Sequence, residues 1–74
     1  MNILVLNGPN LNLLGLREED IYGSESLASI EEKLKNLAHE SNCEIEFFQS
    51  NAEHELINSI QNAFENQVDV IIFN

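Results

Sequence analysis

Seventeen residues separate the first apolar run, Ile3-Leu-Val-Leu6, from the approach to the first helical repeat at Ser26: Asn7-Gly-Pro-Asn-Leu-Asn-Leu-Leu-Gly-Leu-Arg-Glu-Glu-Asp-Ile-Tyr-Gly23. Strand-to-helix connections usually take about 2–6 residues, so this one is several times longer than the fold alone requires. A long connection in a small α/β unit is characteristically a lid or a binding loop. This stretch also holds the chain's only proline, arginine and tyrosine and all three of its glycines. Functional chemistry is therefore sought here first.

The flanking patterns define what the loop connects. Ile3–Leu6 is a continuous apolar run, suited to a strand covered on both faces. Gly8 and Pro9 end it, because Gly8 frees the backbone and Pro9 has no N–H to donate to a ladder. Ser26 is a suitable N-cap, with Glu25 beside the positive end of the helix dipole. Leu27, Ile30, Leu34, Leu37 and Ala38 then recur at helical spacing, with Glu31, Glu32, Lys35 and Asn36 outward, and the helix is expected to fade near Ser41-Asn42. A second strand is expected over Glu44–Gln49. Its alternation of Ile45 and Phe47 with Glu44, Glu46 and Phe48 suits an edge. Ser50 or Asn51 is expected to cap a second helix, carried by Leu56, Ile57, Ile60, Ala63 and Phe64. A third, nearly all-apolar strand runs from Val68 to Phe73, with Asp69 near its mouth. Strands alternating with helices imply parallel pairing through right-handed crossovers in one domain, residues 1–74. Orders 1-2-3 and 2-1-3 both satisfy the pattern. Only the second sets the long loop opposite Asn74, across the crevice where open α/β sheets bind ligands. Ending on a third strand would leave a bare apolar edge, so the sequence reads as cut short.

Composition removes several function classes. A net charge of −10, with Arg17, Lys33 and Lys35 as the only Lys or Arg side chains, argues against nucleic acid and against anionic membrane surfaces. No run approaches the length of a membrane span, and the N-terminus lacks the basic segment of a signal peptide. Cys43 is the only cysteine, which excludes an internal disulfide and fits a cytoplasmic location. His39, Cys43 and His54 lack the spacing of a zinc site. The loop is not a phosphate cradle, since it carries neither Gly-x-Gly-x-x-Gly nor Gly-Lys-Ser/Thr.

What the loop does offer is Arg17 five residues before Tyr22, with amides at Asn7, Asn10 and Asn12. A phenol with a reference pKa of about 10 is a poor base at neutral pH. A nearby guanidinium favours the phenolate and lowers that pKa by roughly 1–3 units. Phenolate and amide donors together form a set for removing a proton beside a carbonyl and steadying the enolate. The residues alone equally allow a packing tyrosine at a helix entry and a solvated arginine.

The motif Gly8-Pro-Asn-Leu-Asn-Leu-Leu-Gly15, followed by Arg17 and Ile21-Tyr-Gly23, resembles the signature of type II 3-dehydroquinate dehydratase. Glu46-Phe-Phe-Gln-Ser-Asn-x-Glu53 and Ile71-Ile-Phe-Asn74 extend the resemblance along the whole chain, which corresponds to the first half of a family member. The resemblance implies a flavodoxin-like α/β fold, a three-layer sandwich whose parallel sheet starts in the order 2-1-3. It implies elimination of water from anionic 3-dehydroquinate to 3-dehydroshikimate through an enolate, without metal or cofactor, in the shikimate or quinate pathway. Tyr22 matches the proton acceptor, Arg17 the lid arginine that activates it, and Asn10 an amide that helps hold the enolate. Asn74 matches a substrate-binding residue. Glu18 sits where an acid orients the arginine. Asn12, Asn7 and Glu53 lie in matching motifs, where packing or turn formation explains them equally well. His54 departs from a position where many members have glycine.

The family's general acid is a histidine from the half that would follow Asn74, and neither His39, late in the first helix, nor His54, opening the second, matches it. The 74-residue chain alone is therefore expected to be inactive. The resemblance further implies a homo-oligomer, with trimers assembled into a dodecamer. The competing reading is a non-catalytic flavodoxin-like module whose loop binds an anion or a partner.

Overall fold

The computed structural model describes residues 1–13 and 26–74. Three parallel strands, β1 (Asn2–Asn7), β2 (Glu44–Gln49) and β3 (Val70–Phe73), form one sheet in the order β2-β1-β3. This order resolves the two topologies that the sequence left open. β1 is central, and it is the most deeply buried of the three strands. Its residues Ile3 to Leu6 pair with Ile45 to Phe48 on one side and Val70 to Phe73 on the other.

Among the described residues two α-helices cross between the strands, α1 (Leu27–Glu40) and α2 (Glu53–Glu65). Ser26 caps α1 as its sequence position predicts: its side-chain oxygen accepts the Ser29 N–H at 3.1 Å. The helix stops because Asn42 adopts a φ of 58°, a left-handed conformation that asparagine tolerates better than most residues. The end of α2 uses the same device, with Gln67 at a φ of 58°. Leu4 and Leu6 of β1 meet Leu56 and Ala63 of α2, with Phe48 and Val68 packed against them. Successive strand residues point to opposite faces, so Phe47 lies across the sheet from Phe48. There the Lys35 ammonium of α1 sits 5.8 Å from the Phe47 ring centre. The sheet is thus sandwiched between one helix on each face, a three-layer α/β arrangement.

Several local expectations change. Neither Ser50 nor Asn51 caps α2; its N-cap is Ala52, and Ser50 instead accepts the Ala52 N–H at 3.0 Å. The third strand begins at Val70 rather than Val68, because Val68 turns into the α2 core and Asp69 accepts the Asn2 N–H at 2.7 Å. Leu37, expected inward, is exposed, and Ala38 takes the buried position beside it. On α2 only Leu56 and Ala63 are buried, whereas Ile57, Ile60 and Phe64 form an exposed apolar stripe. All four β3 residues are likewise exposed. The sheet pairs β3 on one side only, so its apolar pattern outruns the layers that cover it.

Candidate active site

The carboxyl ends of the strands meet at Asn7, Gln49 and Asn74. Asn7 pairs in register with Gln49, and Asn74 directly follows β3. Backbone bonds fix Asn74 against β1, since its N–H donates to the Leu6 carbonyl at 2.8 Å and its carbonyl accepts the Gly8 N–H at 2.9 Å. Its side-chain nitrogen lies 3.4 Å from the Asn7 amide oxygen. Asn7 is buried, and a buried amide requires such a partner. Gly8 lies outside the left-handed region, so its value here is the close approach to Asn74 rather than an unusual φ.

Beyond Gly8 the chain turns sharply. Asn10 has a φ of 70°, and its backbone N–H donates to the Asn51 side-chain oxygen at 2.9 Å. The Leu11 N–H reaches back to the Gly8 carbonyl at 3.4 Å, and a 3-10 turn follows over Leu11–Leu13. The Gln49 side chain crosses from β2 to this turn. Its NH2 lies 3.2 Å from the Gly8 carbonyl, 3.2 Å from the Asn51 amide oxygen and 3.4 Å from the Asn12 amide oxygen. Asn7 completes the link between the two loops by accepting the Ser50 N–H at 3.1 Å through its carbonyl.

This network has a direction. The amide oxygens of Asn12 and Asn51 accept from Gln49, and Asn51 also accepts from Asn10. Among the described residues, the side-chain nitrogens of Asn10, Asn12 and Asn51 have no acceptor. Among the described residues, acceptors are used internally and donors are left over. A donor surplus suits a ligand that carries, or develops, negative charge on oxygen. All six amide side chains are neutral at any working pH, so this floor adds no carboxylate to an already acidic chain.

The structure places Asn7 against Asn74 at adjoining strand ends and Asn10 and Asn12 on the turn after β1, and adds Gln49 and Asn51 as their partners. The sequence signal for the added pair was available: two amides at the carboxyl end of a strand beside β1, where ligands of parallel sheets sit. Arg17, Glu18 and Tyr22 lie outside the described residues, as do Gly15, Gly23 and Glu25. His39 and His54 are exposed helical residues, and Glu53 stands in the first turn of α2. The described residues contain no grouping of His, Cys, Asp and Glu able to hold a metal. A separate cleft of about 410 Å³, lined in part by Glu44, Glu46, Asn62 and Asn66, opens on the α2 side toward the amino ends of the strands. Its lining contains none of the six amides above.

Comparison with known proteins decides the family, because the model of the dehydroquinase class II family matches residues 1–74. The chain belongs to the class II dehydroquinase family. A 3-dehydroquinate dehydratase of Methylococcus capsulatus is 60% identical over 72 residues, covering 97% of this chain and 49% of the relative. One from Haemophilus influenzae is 58% identical, covering 97% and 48%. The type II dehydroquinase structure from Butyrivibrio crossotus superposes with a TM-score of 0.96 at 44% identity, covering 100% of this chain and 51% of that one. The Propionibacterium acnes type II dehydroquinase gives a TM-score of 0.85 at 35% identity, covering 96% and 49%. The chain thus spans about half the length of these class II dehydroquinases.

Proposed function

We propose that these residues supply the proton-abstracting side of a 3-dehydroquinate dehydratase. Tyr22, as phenolate, removes the proton from the carbon beside the substrate ketone. Arg17 lowers the phenol pKa by its charge, and Glu18 orients Arg17. The negative charge that moves onto the ketone oxygen is steadied from the amide floor through Asn10, with Asn12 in support. Asn74 binds substrate at the end of β3. The departing hydroxyl requires a proton from a general acid that neither exposed helical histidine provides, so the 74-residue chain alone turns over no substrate.

The observation that carries this reading is the family match across all of residues 1–74, the segment that contains both the Arg17–Tyr22 spacing and the amide cluster. Among the described residues no helix is long and apolar enough to cross a membrane. The reading is of action in the cytoplasm on a small anionic substrate, and the net charge of −10 speaks against nucleic acid and anionic membrane surfaces as partners. The exposed stripe of Ile57, Ile60 and Phe64 supports burial against further protein, in keeping with a homo-oligomer, a dodecamer by family likeness.

The test is Tyr22→Phe in the polypeptide encoded by the complete reading frame, followed by ultraviolet absorbance of the conjugated enone product. Loss of a positioned general base lowers kcat by about 10²–10⁴-fold. A variant turning over near the wild-type rate removes Tyr22 from the mechanism.

A further inference from the structure

We propose that Gln49 is a positioning residue: its side-chain NH2 pins the Gly8–Leu13 turn to β2 and thereby aims the Asn10 amide at the developing oxyanion. The inference rests on the function proposed for Asn10 and extends it to a residue of another strand. Gln49 leaves the end of β2 directly beside Asn7, so its reach to the turn is set by a rigid ladder rather than by a loop. Its two N–H groups have three oxygens within 3.2–3.4 Å, belonging to Gly8, Asn12 and Asn51. Two of these lie in the turn. The third belongs to the side chain that accepts the Asn10 N–H at 2.9 Å.

The relay therefore runs from Gln49 to Asn51 to the backbone of Asn10. It acts on Asn10, whose φ of 70° lies in the left-handed region, so the direction of its side chain depends on that backbone conformation being held. Only an uncharged donor side chain of this length performs the task. A lysine would bring a charge, and a carboxylate would face three oxygens with no proton to share.

Because Gln49 acts through Asn10, its removal should affect the transition state more than substrate binding. Misplacing a catalytic group by about 1 Å costs up to roughly 10²-fold in rate. Gln49→Met, close in volume and without a donor, should lower kcat by about 10- to 100-fold with KM little changed.

The test is a double-mutant cycle in the polypeptide encoded by the complete reading frame, with melting temperature measured for every variant. Asn10→Gly removes the amide while keeping the left-handed backbone. The double variant should be no slower than Asn10→Gly alone, since there is nothing left to aim. Asn51→Ala, at an exposed position, tests the same relay without touching the sheet and should show the same kcat loss and the same non-additivity. A wild-type kcat in Gln49→Met, a fall in melting temperature without a fall in kcat, or losses that multiply with Asn10→Gly would each overturn the proposal. If Asn10→Gly itself turns over at the wild-type rate, the role given to Asn10 falls and takes the proposal with it. If Asn10→Gly is slow and Gln49→Met is not, the positioning proposal alone is wrong.

Discussion

Asn10 has both a backbone task and a side-chain task, and two substitutions separate them. Its φ of 70° places it in the left-handed region, where alanine suffers the Cβ–carbonyl clash that glycine lacks. The cost for alanine is about 1 kcal/mol, while glycine should stay within about 0.5 kcal/mol of the parent. The Asn51 hydrogen bond offsets neither difference, because it is received from the backbone N–H, which both variants keep. For a chain of 74 residues total stability is of order 4–11 kcal/mol, so a 1 kcal/mol difference is a visible fraction of the whole. It corresponds to roughly 4–8 °C in melting temperature for a domain of this size. Circular dichroism melts of the two variants in the 74-residue chain should place Asn10→Ala below Asn10→Gly by that interval. Activity in the polypeptide encoded by the complete reading frame should fall equally in both, since both lose the amide. Equal melting temperatures would refute the backbone argument, and a much slower alanine variant would show that strain, not the amide, controls the rate.

Leu6 is 0% exposed and packs against Leu4, Leu56 and Ala63, so Leu6→Ala should lose about 2–5 kcal/mol in urea unfolding of the 74-residue chain. Phe64, 91% exposed, serves as its control: Phe64→Ala should change that chain's stability by less than about 0.5 kcal/mol, and equal shifts in the two midpoints would contradict the assignment of the core. Ser26→Ala removes the acceptor of the Ser29 N–H and should cost about 1 kcal/mol, read as earlier loss of helical ellipticity on heating.

The strands and helices were legible because their signals are local. The Ile3–Leu6 run, the Ser26 cap and the Glu44–Gln49 alternation each specify their element through neighbouring residues, and each element forms where those residues stand. Failures came where tertiary context decides. Ile57, Ile60 and Phe64 have the helical spacing of a core face, yet spacing reports only that a face is apolar, not which part of it meets the sheet. Val68 has the composition of a strand residue, but the α2 core draws it out of the ladder. Ser50 and Asn51 both have the chemistry of a cap, and both are engaged elsewhere: Ser50 with Ala52, and Asn51 with Asn10 and Gln49. The amide site was half legible for the same reason. Asn10 and Asn74 stand out through motif, whereas Gln49 and Asn51 acquire meaning only when the order β2-β1-β3 sets their strand end beside the loop.

For an acidic chain, the anionic substrate proposed above poses an electrostatic difficulty, and the strand ends suggest how it is met. A carboxylate placed about 4 Å from an anionic ligand would repel it by roughly 4 kcal/mol at an effective dielectric of 20. The amide floor avoids that repulsion: Gln49 engages the oxygens of Asn12 and Asn51, and the dipoles so fixed leave N–H groups for the ligand. Neutral donors orient an oxyanion but do not attract an anion from a distance, so a cation is still required. Lys35 lies against Phe47 on the α1 face, and Lys33 sits on the same helix. In the proposed function that cation is Arg17, which follows the amide floor along the same connection in the sequence. Under the proposed function, charge on the loop and neutral donors on the sheet would let one guanidinium serve two purposes, drawing in the substrate and making the Tyr22 phenol basic. By this argument Arg17→Lys should retain part of the attraction for substrate while losing the bidentate geometry that a planar guanidinium provides, so that kcat falls more than KM rises.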